Sequence, residues 1–260
     1  MARPLITRLA ELPVKAVEAA RATVLPIHPL QIDVLKLIAC ICMLIDHINT
    51  CLFDRASVWA WLIGRLAFPL FGLTFVLTLK PHKAMATARR LLIWAICTQP
   101  VYALAFANTG FSPWWAGNIL FSFATVAYLV ALAQAPSAAN VAKGLAVVGV
   151  ASIIQAPSSF GFTGLMLLTA LYQAAHASQH VKAVCWVVGA VAFFLVNHMN
   201  ASASVLLVSM LIACFGACVR VRQLPSLRFL KGRWALWFYA AHVFSIAVWV
   251  CDMVRNVRLT

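Results

Sequence analysis

Charge is what this sequence has least of. Only 10% of its 260 residues are Asp, Glu, Lys or Arg, where an average soluble domain carries about 25%. No CxxC pair and no HExxH pattern occurs, so neither a zinc site nor a disulfide framework is predicted. The eight cysteines sit mostly inside apolar stretches, as Cys40, Cys42, Cys97, Cys185, Cys214 and Cys218 do, and there they read as small hydrophobes. His176 and His180 have a spacing that can bind metal but lack an accompanying Glu. They are expected to cap a loop at a membrane surface. Short segments of alternating polarity are missing, which excludes a transmembrane barrel. Arg8, Glu11 and Lys15 interrupt any apolar core near the N-terminus, which excludes a signal peptide there. No clear internal repeat is visible, which weakens a transporter reading.

What is there is hydrophobic: 64% of the chain. Apolar stretches of membrane-spanning length recur from Ile32 onward, predicting an all-α, polytopic integral membrane bundle. Residues 1–31 form a separate segment. Leu5, Leu9, Leu12, Val17, Ala20 and Val24 recur at helical spacing among Arg3, Arg8, Lys15 and Arg21, as in an amphipathic helix on an anionic membrane surface. Residues 32–252 form the membrane domain, and 253–260 a short tail. Nine spans are expected, at about 32–53, 58–79, 88–107, 117–134, 141–155, 160–176, 182–197, 202–219 and 234–252. The breaks at Pro81, Asn108-Thr109-Gly110, Pro136-Ser137, Pro157-Ser158-Ser159 and Pro225 carry turn chemistry.

Charge then sets the orientation. With the N-terminus in the cytoplasm, fifteen of the 20 Lys and Arg residues fall on the inner side. Only Arg55, Arg255 and Arg258 fall outside, and Lys36 and Arg65 lie within spans. That asymmetry predicts N-in and C-out. The net charge of +14 is therefore a topology signal and an attraction to membrane lipids, not a nucleic-acid footprint.

The first span carries Asp33, Lys36, Asp46 and His47. Ionisable groups at membrane depth are costly and mark working sites. Lys36 and His47 are eleven residues apart, three turns plus about 20°, so they share one face about 16 Å apart. The bland alternative is a snorkelling lysine and a hydrogen-bonded core histidine. Asp46 points about 100° away from His47, so its expected partner is Arg65, which precedes Pro69 by four residues. Pro69 displaces the carbonyl at that position. Gln99 lies beside Pro100, Asn118 begins the fourth span, and Tyr239 and His242 share a face of the ninth. The pattern suggests a buried site in the outer half of the bundle, with basic loops opposite.

The motifs DVLKLIACICMLIDHINTCLF, GRLAFPLFGL, ARRLLIWAICTQPVY, GNILFSF, FGFTGLMLLTALY and ALWFYAAHV occur in this order. Over about residues 30–250 the chain resembles the TraX family, including its TrbP-type relatives from conjugative plasmids. More distantly, Asp33-x-x-Lys36 with ten residues before His47 resembles the first helix of acyltransferase-3 membrane enzymes, which typically have Arg at the position of Lys36. Lys keeps the charge but not the bidentate fork.

The resemblance implies an acyltransferase of the bacterial inner membrane. It implies acetyl-CoA as cytoplasmic donor, with no metal, and the N-terminal amine of a pilin subunit as outer acceptor. On that reading His47 is the general base. Asp46 pairs with Arg65 or holds the incoming ammonium. Arg65, Asn118 or Gln99 stabilises the oxyanion. Tyr239 and His242 position groups or transfer a second proton. Lys36, Arg89, Arg90, Arg228, Lys231 and Arg233 are candidates for the CoA phosphates, or simply topology charges. Direct transfer and an acyl-histidine intermediate both remain open. The rival readings are a transporter, an acyltransferase for a lipid or glycan, a haem b carrier using His47, His198 or His242, and a non-catalytic assembly subunit.

Overall fold

Each long apolar run in the sequence becomes a helix. The computed structural model describes residues 28–109, 114–156, 160–177, 179–197, 201–221 and 233–257. Residues 1–27 of the expected amphipathic segment, the basic residues Arg228 and Lys231, His198, and residues 258–260 of the expected tail lie outside the described residues.

Helix α1 (Pro29–Phe53) starts with Pro29, which lacks the amide proton that would go unpaired there. His28 closes a reciprocal cap: its Nδ1 accepts from the Leu30 amide at 3.4 Å, and its own amide donates to Gln31 Oε1 at 2.7 Å. The helix stops where Asp54 and Arg55 turn left-handed, at φ 45° and 61°. Two successive non-glycine residues in that region are uncommon. Asn49 holds them. Its carbonyl accepts from the Asp54 and Arg55 amides, while its side chain takes the Ser57 amide and donates to the Ser57 carbonyl, at 3.0 and 2.9 Å.

The second apolar run, expected as a span over 58–79, is long and apolar enough to cross a membrane over Val58–Thr78, and it carries a local break at Arg65–Leu66 that divides it into α2 (Val58–Gly64) and α3 (Ala67–Thr78). Pro69 is the reason, because it has no amide to donate to the Arg65 carbonyl and its ring crowds that carbonyl. After a 3-10 turn at Pro81–Lys83 come α4 (Ala84–Ala105), α5 (Ile119–Ala133), α6 (Ala138–Gln155), α7 (Gly161–His176), α8 (Gln179–Asn197), α9 (Ala201–Val221) and α10 (Trp234–Val257). No strand occurs among the described residues. Pro100 is accommodated inside α4.

Six helices close into a ring: α1 packs on α3, α3 on α7, α7 on α5, α5 on α4, α4 on α10, and α10 back on α1. Helices α6, α8 and α9 pack outside it, on α5 and α7, on α7, and on α1 respectively. The ring interior holds Leu35, Met43, Phe68, Leu120, Phe123, Leu168 and Val243, all buried. The outer surface of the bundle is just as apolar, with Trp59, Leu145, Ile153, Val187, Ile212 and Trp249 exposed. Soluble monomers rarely expose so much contiguous apolar surface. Val58–Thr78, Ala138–Gln155 and Trp234–Asn256 are long and apolar enough to cross a membrane. The fold is an all-α bundle with the surface of a membrane protein.

Candidate functional site

Two features of the ring define the site: a cavity open at one end and a histidine pair toward the other. The cavity mouth is lined by Lys36 of α1, Thr78 and Leu79 at the end of α3, Thr87 and Arg90 of α4, and Arg233 and Trp234 at the start of α10. Its inner part shares Lys36, Phe75, Thr78, Leu91, Ala235 and Leu236 with that mouth. From there it continues past Thr74 and Phe71 to Met43, Phe123 and Tyr239. Polarity therefore falls from three cations at the mouth to an apolar throat of about 160 Å³. A throat of that size suits a slender arm rather than a nucleotide, since drug-sized ligands need about 300 Å³ or more.

One turn beyond Met43 on α1 lies His47, and one turn beyond Tyr239 on α10 lies His242. His47 Nδ1 and His242 Nε2 are 2.9 Å apart, with the rings stacked at 5.0 Å. His242 Nδ1 is 2.9 Å from the Phe238 carbonyl. A carbonyl can only accept, so His242 carries its proton on Nδ1. For two neutral imidazoles His242 Nε2 then accepts from His47 Nδ1–H, and His47 keeps its lone pair on Nε2. This tautomer assignment follows from the hydrogen-bond network. Phe106 sets its ring edge against His47 at 5.2 Å, and Tyr102 packs on Phe106 at 4.5 Å.

Beside the pair, Arg65 Nη2 donates to Asp46 Oδ2 at 3.2 Å, with the two side chains 9% and 16% exposed. The predicted geometry for Asp46 is present: adjacent to His47 in sequence, it faces α2 and Arg65. Arg65 stands at the α2–α3 break, its guanidinium 5.4 Å over the Trp61 ring. Gly64 makes the pair possible, because a Cβ there would run into the Asp46 carboxylate. Asp46 Oδ1 and Arg65 Nε are buried without a hydrogen-bond partner among the described residues. Arg65 lies within electrostatic range of His47.

Gln99 and Asn118 belong to a different cluster. Gln99 Nε2 donates to the Ala116 carbonyl at 2.7 Å, and its Oε1 receives both the backbone amide and the side-chain Nδ2 of Asn118, at 3.0 and 2.9 Å. Asn118 also donates to the Ala95 carbonyl and caps α5 through the Leu120 amide. Gln155 and Ser122 extend the cluster to α6. These bonds fasten α4, α5 and α6 to one another, and neither Gln99 nor Asn118 lines the cavity that leads toward the histidine pair.

Among the basic candidates, Lys36, Arg90 and Arg233 line the mouth, whereas Arg89 is exposed and does not. Arg228 and Lys231 lie outside the described residues. His176 donates from Nδ1 to the Tyr172 carbonyl at 2.9 Å and stacks on that ring.

Sequence reasoning missed several participants. Arg55, read as an outer topology charge, is turned by the left-handed bend to lie within range of Arg65 and Asp46. Burial, together with the Arg65 charge, pulls its pKa below the ordinary arginine value. Asn49, which fixes that bend, and the Phe238 carbonyl, which orients His242, were also missed. The i−4 position of Phe238 relative to His242 was the available signal.

A family model described as TraX protein matches residues 31–250. A curated relative, "Protein TraX" of Escherichia coli, is 31% identical over 226 residues, covering 85% of this chain and 87% of that protein. "Protein TraX" of Escherichia coli strain K12 is 31% identical over 225 residues, with the same coverage of each chain. No solved structure matches. The match takes in both the cavity and the histidine pair, and the chain belongs to the TraX family.

Proposed function

We propose that the protein is a nine-span acyltransferase of the bacterial inner membrane, N-in and C-out, that moves an acetyl group from cytoplasmic acetyl-CoA to the N-terminal amine of a pilin at the outer side. The observation that carries this reading is the continuity of the cavity. Three cations, Lys36, Arg90 and Arg233, surround its mouth, and an apolar throat leads from them to within one helical turn of the histidine pair. A CoA thioester has matching parts: a polyanionic head, a thin arm and a reactive end. Lys36 and His47 on one helix face are about 16 Å apart, a span suited to that arm. The charge asymmetry of the loops supports a cytoplasmic mouth.

The chemistry follows from the assigned tautomers. The acceptor amine attacks the thioester carbonyl carbon while His47 Nε2 takes its proton. The imidazolium so formed is held by the hydrogen bond to His242, which the Phe238 carbonyl fixes in register. The C–S bond breaks and CoA leaves as the thiolate, which the His47 proton then neutralises. An α-amine has a pKa near 8, so an imidazole is an adequate base. Asp46 Oδ1, unpartnered beside His47 in sequence, supports a role in receiving the incoming ammonium.

The test is direct. Purified protein with labelled acetyl-CoA is expected to acetylate a pilin, and mass spectrometry of pilins from cells with and without it is expected to differ by one acetyl at the N-terminus. Unchanged pilin mass in both strains would reject the acceptor. The broken α2–α3 helix and Pro100 in α4 favour a transporter as the second reading. Substrate counterflow into proteoliposomes without thioester cleavage would establish that reading instead.

A further inference from the structure

Tyr239 is only 3% exposed, and its hydroxyl has no hydrogen-bond partner among the described residues. A buried hydroxyl left unmatched carries a desolvation cost that a phenylalanine would not. The residue lines the inner end of the cavity with Met43 and Phe123. Its ring meets His242 edge-on at 5.6 Å and 72°, so it stands between the throat and the imidazole pair. Other donors are less well placed. Gln99 and Asn118 fasten helices to one another and do not line the throat. Arg65 is engaged by Asp46 and does not line the cavity.

We propose that the Tyr239 hydroxyl is the oxyanion donor of the reaction, hydrogen-bonding the carbonyl oxygen of the acyl group at the end of the throat. The assignment rests on the acyl-transfer reading and deepens it. As the amine lone pair forms the new C–N bond, the carbonyl π pair moves onto oxygen, where Tyr239 O–H stabilises it. When the pair returns, the C–S bond breaks and sulfur leaves with its electrons. Tyr239 keeps its own proton throughout, and the amine proton goes to His47.

Tyr239→Phe retains the ring that packs on His242 and removes only the donor. In steady-state assays with acetyl-CoA it is expected to lower kcat about 100-fold, the usual cost of losing one such donor, with donor KM changed less than about threefold. A second measurement does not depend on turnover. A methyl-ketone analogue of acetyl-CoA, with CH2 in place of the thioester sulfur and a 13C carbonyl, is bound to each protein and its carbonyl stretch read by infrared difference spectroscopy. The band is expected at lower wavenumber in the wild type than in Tyr239→Phe. Identical bands in the two proteins, or a variant within about threefold of wild-type kcat, overturn the assignment of Tyr239 while leaving acyl transfer intact. A wild type that neither binds the analogue nor transfers acetyl overturns both.

Discussion

At the scale of single residues, the histidine pair carries the sharpest expectations. Replacing His47 with Gln removes the Nε2 lone pair and is expected to reduce acetyl transfer at least 100-fold, the size of a general-base contribution, while donor KM holds. His242→Ala leaves the base present but releases its orientation, so a smaller loss of about 10-fold is expected. Both are read with labelled acetyl-CoA. The Asp46–Arg65 pair makes a different prediction. Asp46→Asn or Arg65→Gln alone leaves one largely buried charge unmatched, which costs about 3–5 kcal/mol. The double substitution is expected to recover part of that. Thermal unfolding of the four proteins in detergent closes the cycle, and additive losses would contradict the pairing.

At the scale of elements, the site depends on a close approach between α1 and α2. Gly64→Ala introduces a Cβ that collides with Asp46 and is expected to lower both activity and melting temperature. Gly149→Ala in α6 meets nothing within 4 Å and is expected to be neutral or stabilising by up to about 1 kcal/mol. If the two variants melt alike, the tight contact is wrong. The helices themselves were legible in the sequence. Of the predicted stretches, 58–79 alone was split, and its break followed from Pro69, whose effect on Arg65 was visible without the structure. The pairing of Asp46 with Arg65 was also legible, since helix geometry turned Asp46 away from His47. The His47–His242 contact was not, because 195 residues separate the two and periodicity within a helix says nothing about which helices meet. The helix-fastening bonds of Gln99 and Asn118 were hidden for a related reason. A buried amide reads alike whether it faces a substrate or fastens three helices, and only the partners distinguish the cases.

At the scale of the whole molecule, the ring has two chemically distinct ends. Removing the cations one at a time, as Lys36→Gln, Arg90→Gln and Arg233→Gln, is expected to raise donor KM about 5- to 50-fold each with little change in kcat, the signature of lost uniform binding. The effect should shrink at high salt, as exposed charge interactions are screened. The orientation is checked independently. A periplasm-dependent phosphatase fused after Thr260 is expected to be active, and one fused after Lys143 inactive. The opposite result would invert the topology and place the basic mouth on the wrong side for a cytoplasmic donor.

The histidine pair ends on the Phe238 main-chain carbonyl, which accepts a hydrogen bond but cannot pass a proton on. For protons the pair is a cul-de-sac. In the proposed reaction, whatever His47 takes from the acceptor leaves through the same nitrogen that received it, so the pair itself offers no proton wire between the two ends of the ring.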